Sequence, residues 1–346
     1  MNANEKKPML QAFKTSGGSD IFQIPLEAFP GFWGYVYLVL SGEYRVLIDS
    51  GSGLGEASSQ LEQGFETISS QYHESISLAN LTHILITHGH IDHFGGLTYI
   101  CPRTSARIGV HELDRRNLTN YEERLTVVAR RLSEFLTEAG ASPELREKLL
   151  EMYMITKAFF RSVRVDFTYE AIGMQLGPFE FLHVPGHCAG HVVIRLDDIL
   201  FSGDHILEDT SPHQSPEHLT LSTGLDHYLH SLEAARPWAR QARMALGGHK
   251  QPVMDVEKRL DEIKALHKDR LQKVLDFLKE PHTISDVSHH LFQNVSGYNI
   301  LLALEEAGAH VEYLYQRGLL EIENLDALEA SDKPVPIIYR CIECTI

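Results

Sequence analysis

Four metal-binding side chains crowd into six positions of this chain: His88, His90, Asp92 and His93. They close a short apolar, β-branched run, Ile84-Leu85-Ile86-Thr87, and are followed by Phe94-Gly95-Gly96. In extended backbone, residues two apart point to the same side, so His88, His90 and Asp92 converge. His93 falls on the opposite phase and needs a turn, for which Gly95 and Gly96 offer the freedom. Neutral imidazoles together with a carboxylate form the ligand set of a borderline divalent ion such as zinc, and suit iron as well. A lone histidine at a strand end would be an ordinary loop residue. Four such side chains at this density predict a metal site.

The pattern His-x-His-x-Asp-His at 88–93 resembles the metal-binding signature of the metallo-β-lactamase-fold hydrolases. Three further stations match that family. Pro185-Gly186-His187-Cys188-Ala189-Gly190-His191 resembles the next histidine loop, Phe201-Ser202-Gly203-Asp204 the bridging aspartate, and Gly247-Gly248-His249 the last histidine. The resemblance spans residues 21–252. It implies that His88, His90 and His187 hold one ion, that Asp92, His93 and His249 hold a second, and that Asp204 bridges them. The cofactors would be two divalent ions, zinc by preference, with iron or manganese as alternatives. It also implies that Asp49, in Asp49-Ser50-Gly51, supports the ligands from behind and that His191 supports its loop without binding metal. Its fold is a four-layered αββα sandwich, two mixed sheets face to face with helices outside.

The chemistry that follows is hydrolysis: a metal-activated hydroxide attacks an ester or thioester, as in glyoxalase II, and Asp92 accepts the proton. Two other activities share the superfamily. One is an endoribonuclease of the β-lactamase-like protein 2 type; the other is a persulfide dioxygenase with a single iron. A non-catalytic effector that keeps the fold would have no need of seven ligands. The flavin-partnered di-iron branch usually has a carboxylate where His90 stands, and is set aside.

The elements that must position these residues alternate between strand and helix, which argues for an α/β arrangement. Runs at 35–40 and 44–48, joined by Ser41-Gly42-Glu43, predict a hairpin. Residues 53–72 carry a helical stripe of Leu54, Leu61, Phe65 and Ile68. From 111 to 163 the strand rhythm stops. Leu118, Tyr121, Leu125, Val128, Leu132 and Phe135 form one helical stripe. Ser142 as cap and Pro143 in the first turn open a second helix, with Leu145, Leu149, Met152, Thr156 and Phe159. This insert is either a peripheral decoration or an apolar wall of the substrate site. Residues 208–224 read as a polar loop near the site mouth, and His205, His213, His218 and His227 as bystanders more than substrate contacts.

Past residue 252 the pattern becomes helical: a long helix over 256–278, one capped by Thr283, two more at 300–308 and 311–317, then a short strand at 318–323. This resembles the small winged-helix domain that follows the catalytic domain in the β-lactamase-like protein 2 branch. The expected organisation is a catalytic domain at 1–253 with the insert at about 111–163, a winged-helix-like domain at 254–326, and a tail at 327–346. Between His282 and Leu325 the only Lys or Arg is Arg317, against Asp286, Glu305, Glu306, Glu312, Glu321 and Glu323. Without cations to displace counterions, nucleic-acid binding has no drive. The segment reads as a packing or dimerisation module.

Composition sets the remaining bounds. The 346 residues suffice for two domains, and a hydrophobic fraction of 43% suffices for real cores. The net charge of −16 repels phosphate backbones and acidic membrane surfaces. No stretch is apolar and long enough for a bilayer span, and the polar N-terminus lacks the apolar core of a secretory signal. Cysteines at 101, 188, 341 and 344 form no disulfide framework, so a cytoplasmic protein acting on a small-molecule substrate is expected. Cys341-Ile342-Glu343-Cys344 is half a zinc site at best.

Overall fold

Apolar and aromatic residues between 20 and 48 fold into the long strands of a mixed sheet. The structure, a computed structural model, describes residues 7–72 and 74–343, with the side chains of Thr156 and Lys157 left aside. The start of the polar lead-in, the Thr156 side chain of the second stripe and Cys344 therefore lie outside the described residues. The first sheet has the order β1 (Gln11–Lys14), β2 (Asp20–Phe29), β3 (Phe32–Ser41), β4 (Tyr44–Ile48), β5 (His83–Leu85), β6 (Arg107–Val110) and β7 (Phe167–Thr168). β1 to β4 pair antiparallel, and β4 to β7 pair parallel. Gly42, at φ 58°, makes the β3–β4 turn in a region of backbone space that a side chain disfavours. Helix α1 (Ala57–Gln71) provides the crossover a parallel β4–β5 pair requires, burying Leu61, Phe65 and Ile68.

The second sheet runs β12 (Met244–Gly247), β11 (Ile199–Gly203), β10 (Val192–Leu196), β9 (Phe179–His183), β8 (Gln175–Leu176), with only β11 and β12 parallel. Side chains of the two sheets share one core: Ile21, Tyr37, Val46 and Leu85 from the first pack with Phe181, Ile194, Phe201 and Leu246 from the second. This is a sheet-on-sheet sandwich. Parallel pairing matters for function, because it brings carboxyl ends to one edge. Ile48 pairs with Leu85, so the loops after β4 and β5 emerge together, and Gly203 pairs with Gly247, so those after β11 and β12 do too.

The chain groups into two compact units. The first comprises Met1–Glu122, Phe160–Pro212 and Ser231–Leu260, and holds both sheets with the short helices α2 (Ile91–Phe94), α3 (Leu97–Ile100) and α4 (Glu112–Thr119). The second comprises Glu123–Phe159, His213–His230 and Asp261–Ile346. The boundary falls within α5 (Tyr121–Glu138), α7 (Leu225–Ala239) and α8 (Val256–Phe277). Residues 123–159 of the insert thus group with the C-terminal segment and its two ends with the sheets, and residues 208–224 are divided between the units.

In the second unit, Ser142 accepts from Leu145 N to cap α6 (Pro143–Lys157), and Thr283 with Asp286 forms a reciprocal capping box on α9 (Ile284–Leu291). Two helices were expected over 300–317; one, α10 (Asn299–Gln316), runs through. Gly308 does not break it, because the position is filled from outside. A Cβ there would meet Pro216 Cγ at 2.9 Å and Phe135 Cε2 at 3.0 Å. The polar linker expected after residue 326 contains α11 (Leu325–Glu329), and β13 (Leu320–Ile322) pairs antiparallel with β14 (Tyr339–Cys341). Cys341 is disulfide-bonded, whereas Cys101 and Cys188 are free thiols. No helix among the described residues is long and apolar enough to cross a membrane.

Candidate metal centre

β5 ends at Leu85, the chain bends through 87–89 to an extended His90 (φ −87°, ψ 147°), and then coils into α2, which carries Asp92 and His93. His90 O accepts from His93 N and Phe94 N at 3.0 and 3.1 Å, which fixes the turn. The strand alternation expected to align Asp92 with His88 and His90 is therefore absent, and Asp92 falls in a different ligand group from theirs. Gly95 and Gly96 serve packing rather than backbone freedom. Both have ordinary helical φ, and a Cβ on Gly96 would lie 2.1 Å from Ser50 O.

All seven expected positions are brought together at the common edge. His88, His90 and His187 form one group and Asp92, His93 and His249 another; Asp204 joins His88 and His93 in a third. Within each group the donor atoms lie within 4.8 Å of one another. His88 Nε2 is 3.1 Å from His90 Nδ1. His249 Nε2 is 3.3 Å from Asp92 Oδ2. Asp204 lies between the groups: Oδ1 is 3.5 Å from His93 Nε2, and Oδ2 is 3.5 Å from His249 Nε2 and 3.7 Å from His187 Nε2.

A second layer fixes these rings. Asp49, held at φ 59°, takes His93 Nδ1 at 2.8 Å on Oδ2 and the Thr87 N–H at 2.7 Å on Oδ1. That is the arrangement by which a carboxylate sets the tautomer of a metal-facing histidine. Trp33 O takes the Nδ1 of His249 at 2.8 Å. His191 accepts from Asp204 N at 3.0 Å and stacks on His88, so it supports the loop as expected of it. The supports at Thr87, Trp33 and Asp114, the last accepting from the Gly89 and Gly190 amides beside the histidines, were not legible in the sequence. A backbone carbonyl leaves no trace in residue types, and Asp114 is one more acidic residue in a first helical turn, where acids are common anyway.

Electrostatically the edge is a cluster of opposing charges. Burial would raise Asp92 and Asp204, but neighbouring His93 and His249 outweigh it and hold both carboxyls below their ordinary values. Burial would lower His93 and His249, but Asp204, with Asp92 and Asp49 on the first, keeps both raised. His88 is driven down by burial and by the surrounding imidazoles, leaving its lone pair available. Protons and a metal thus compete for the same atoms.

The donor set fits metal binding. Buried His93 Nε2 and Asp204 Oδ1 make no hydrogen bond of proper length, although each is an obligatory polar group. Beside them Gly248 leaves space: a Cβ there would sit 2.4 Å from His93 Cε1 and 2.6 Å from Asp204 Oδ1. His88, His90 and His187 would hold one ion, Asp92, His93 and His249 the other, with Asp204 shared.

Other histidines are engaged elsewhere. His213, His218 and His227 pair with Glu305, Glu312 and Glu217, and His205 is fully buried. A further buried group, His267, Glu306 and His310, is satisfied without an ion. His267 Nδ1 lies 3.1 Å from His310 Nε2, His310 Nδ1 donates to Glu306 O, and the Glu306 carboxylate takes Arg270 and the Gln214 N–H. A cavity of about 390 Å³ in the second unit, lined by Leu145, His289, Phe292 and Leu304 among others, contains none of the seven residues.

The model of the metallo-β-lactamase superfamily matches residues 31–271. The chain is 25% identical to a Bacillus subtilis (strain 168) protein named "Probable metallo-hydrolase YqjP" over 295 residues, 81% of this chain and 86% of that one. Among solved structures it resembles a metallo-β-lactamase family protein from Thermus thermophilus, with TM-score 0.73 and 25% identity over 93% of this chain and 98% of the other. A β-lactamase domain protein from Burkholderia ambifaria shares the fold at TM-score 0.63 and 21% identity, covering 96% and 91%. The paired sheets, the residues gathered at their common edge and the family match over most of its length agree: this chain belongs to the metallo-β-lactamase superfamily.

Proposed function

We propose that the protein is a metallo-hydrolase with two metal ions, acting on an ester or thioester of a small molecule. The observation that carries this is the position of Asp204, whose two oxygens reach histidines of both groups at 3.5–3.7 Å. The relative named as a metallo-hydrolase supports the reaction class. When bound, the ions would supply a water acidic enough to lose its proton near neutral pH and would stabilise negative charge on the substrate. The protein's own part is proton handling and orientation. Asp92 is held ionised by His93 and His249, and its side chain keeps 15% exposure, more than Asp204 or Asp49. It is the carboxylate placed to accept the water's proton. Asp49, Trp33 O and His191 hold His93, His249 and Asp204 in place, so that little reorganisation is needed as charge develops.

The winged-helix-like reading of the C-terminal segment, as a packing or dimerisation module, stands beside this. Its acidity disfavours the endoribonuclease alternative. A purified, metal-analysed sample assayed against thioesters, esters, RNA and, by oxygen uptake, persulfides tests the proposal. Hydrolysis of a thioester or ester supports it. RNA cleavage, or oxygen consumption with a single iron, refutes it.

A further inference from the structure

Asp114 is fully buried in the first turn of α4 and ligates nothing. Its carboxylate ties two loops that are distant in sequence. Oδ2 accepts from Gly89 N at 2.7 Å, 25 residues away, and Oδ1 from Gly190 N at 3.0 Å, 76 residues away. The Cys188 thiol at 3.2–3.3 Å and Asn117 Nδ2 at 3.1 Å complete its shell. Gly89 separates His88 from His90, and Gly190 follows His187 by three positions. The two amides therefore belong to the loops that supply all three histidines of one group.

Both glycines exist to admit this carboxylate. A Cβ on Gly190 would stand 2.7 Å from Asp114 Cγ, and one on Gly89 would stand 3.1 Å from Cγ and 2.5 Å from Asn117 Nδ2. The helix bearing Asp114 is anchored in turn. His111 caps it through Nδ1, reaches Glu170 through Nε2 at 2.7 Å, and stacks on His183 at 3.8 Å; His183 Nε2 lies 2.8 Å from Ala189 O. The Ala189–Gly190 peptide is thus gripped at both its carbonyl and its N–H.

We infer that Asp114 is a positioning residue that sets the spacing of the His88/His90 and His187 loops before any metal arrives, and so determines affinity at the three-histidine half of the site alone. The two carboxyl oxygens accept from one amide each. Asparagine, of the same shape, must turn an NH₂ towards one of them.

The inference rests on the metal reading, and zinc alone is the probe. In the metal-free wild type, the Gly89 and Gly190 amides should exchange slowly with solvent. Asp114→Asn should speed that exchange and weaken, by about 10–100-fold in chelator competition, the zinc that His187→Ala abolishes. The zinc that His249→Ala abolishes should be unaffected. Gly190→Ala, which pushes the carboxylate away without removing it, should weaken the same ion if Asp114→Asn proves too unstable to handle. Unprotected Gly89 and Gly190 amides in the metal-free wild type would overturn the inference, as would a folded Asp114→Asn variant that keeps both affinities or loses both equally. If the wild type takes up no zinc, the metal reading fails instead, and amide protection alone decides whether the staple exists.

Discussion

Asp92 is the residue at which the proposed chemistry is most exposed to test. Asp92→Asn keeps its shape and removes a charge that His93 and His249 stabilise. Loss of a general base typically costs about 10²–10⁴-fold, so turnover of the best substrate should fall by at least that factor at saturating metal. Metal-free circular dichroism should show the fold retained, and the ion held by His88, His90 and His187 should remain. Turnover near the parent level would remove Asp92 from the mechanism. His88, His90, Asp92 and His93 were legible because histidine and aspartate at this density are rare outside metal sites; His187, Asp204 and His249 were legible only through the family resemblance. Their division into groups was not legible from alternation, because α2 begins at Ile91 and turns Asp92 away from His88 and His90. The resemblance implies His88, His90 and His187 on one ion and Asp92, His93 and His249 on the other, and the donor atoms of each trio lie within 4.8 Å of one another.

At the scale of elements, the strands and caps were readable wherever local chemistry decided the outcome: Ser142 and Thr283 both cap the helices they precede. What escaped was set by partners far along the chain. Gly308 looks like a helix break until Phe135 and Pro216 are seen filling its place. The network joining α8 to α10 is of the same kind, and it predicts a pH dependence. His267 is pushed down to about 3, first by burial, and His310 is lowered by burial as well. Their unfolded forms bind protons that the native forms refuse, so their contribution is full above an unfolded pKa of about 6.5 and shrinks as pH falls below it, for His267 down to about 3. Between neutral pH and about pH 5, stability should therefore drop by about 2 kcal/mol from His267 alone. Denaturant titrations should show this slope, blunted in His267→Gln. An unchanged midpoint would mean that these rings are not buried neutral.

The helical insert makes a second prediction at this scale. Phe159 is 67% exposed, so Phe159→Ala should leave the thermal midpoint nearly unchanged. If the insert walls the substrate site, KM should rise or substrate preference shift with metal content intact. Kinetics identical to the parent across a panel of acyl and aromatic substrates would make the insert a decoration.

For the whole molecule, charge is the property that reaches furthest. At −16 overall, with Arg317 the single Lys or Arg between His282 and Leu325 and itself paired with Asp226, that stretch offers phosphates no unpaired Lys or Arg. Anisotropy titrations of the full chain with RNA and DNA at low salt should show no salt-sensitive binding; tight binding lost on adding salt would overturn this. The sandwich was legible as a family resemblance, and its parallel strands as apolar runs. The grouping of residues 123–159 with the C-terminal segment was not, since it depends on packing between stretches separated by more than a hundred residues.

The central claim is a two-ion site built from two groups of ligands around Asp204. Elemental analysis of the purified chain, beside His249→Ala and His187→Ala, tests it most directly. Two ions per chain in the parent, with each variant losing a different one first, is the expected outcome; at most one ion in the parent, with content unchanged by His249→Ala, would refute the two-ion site.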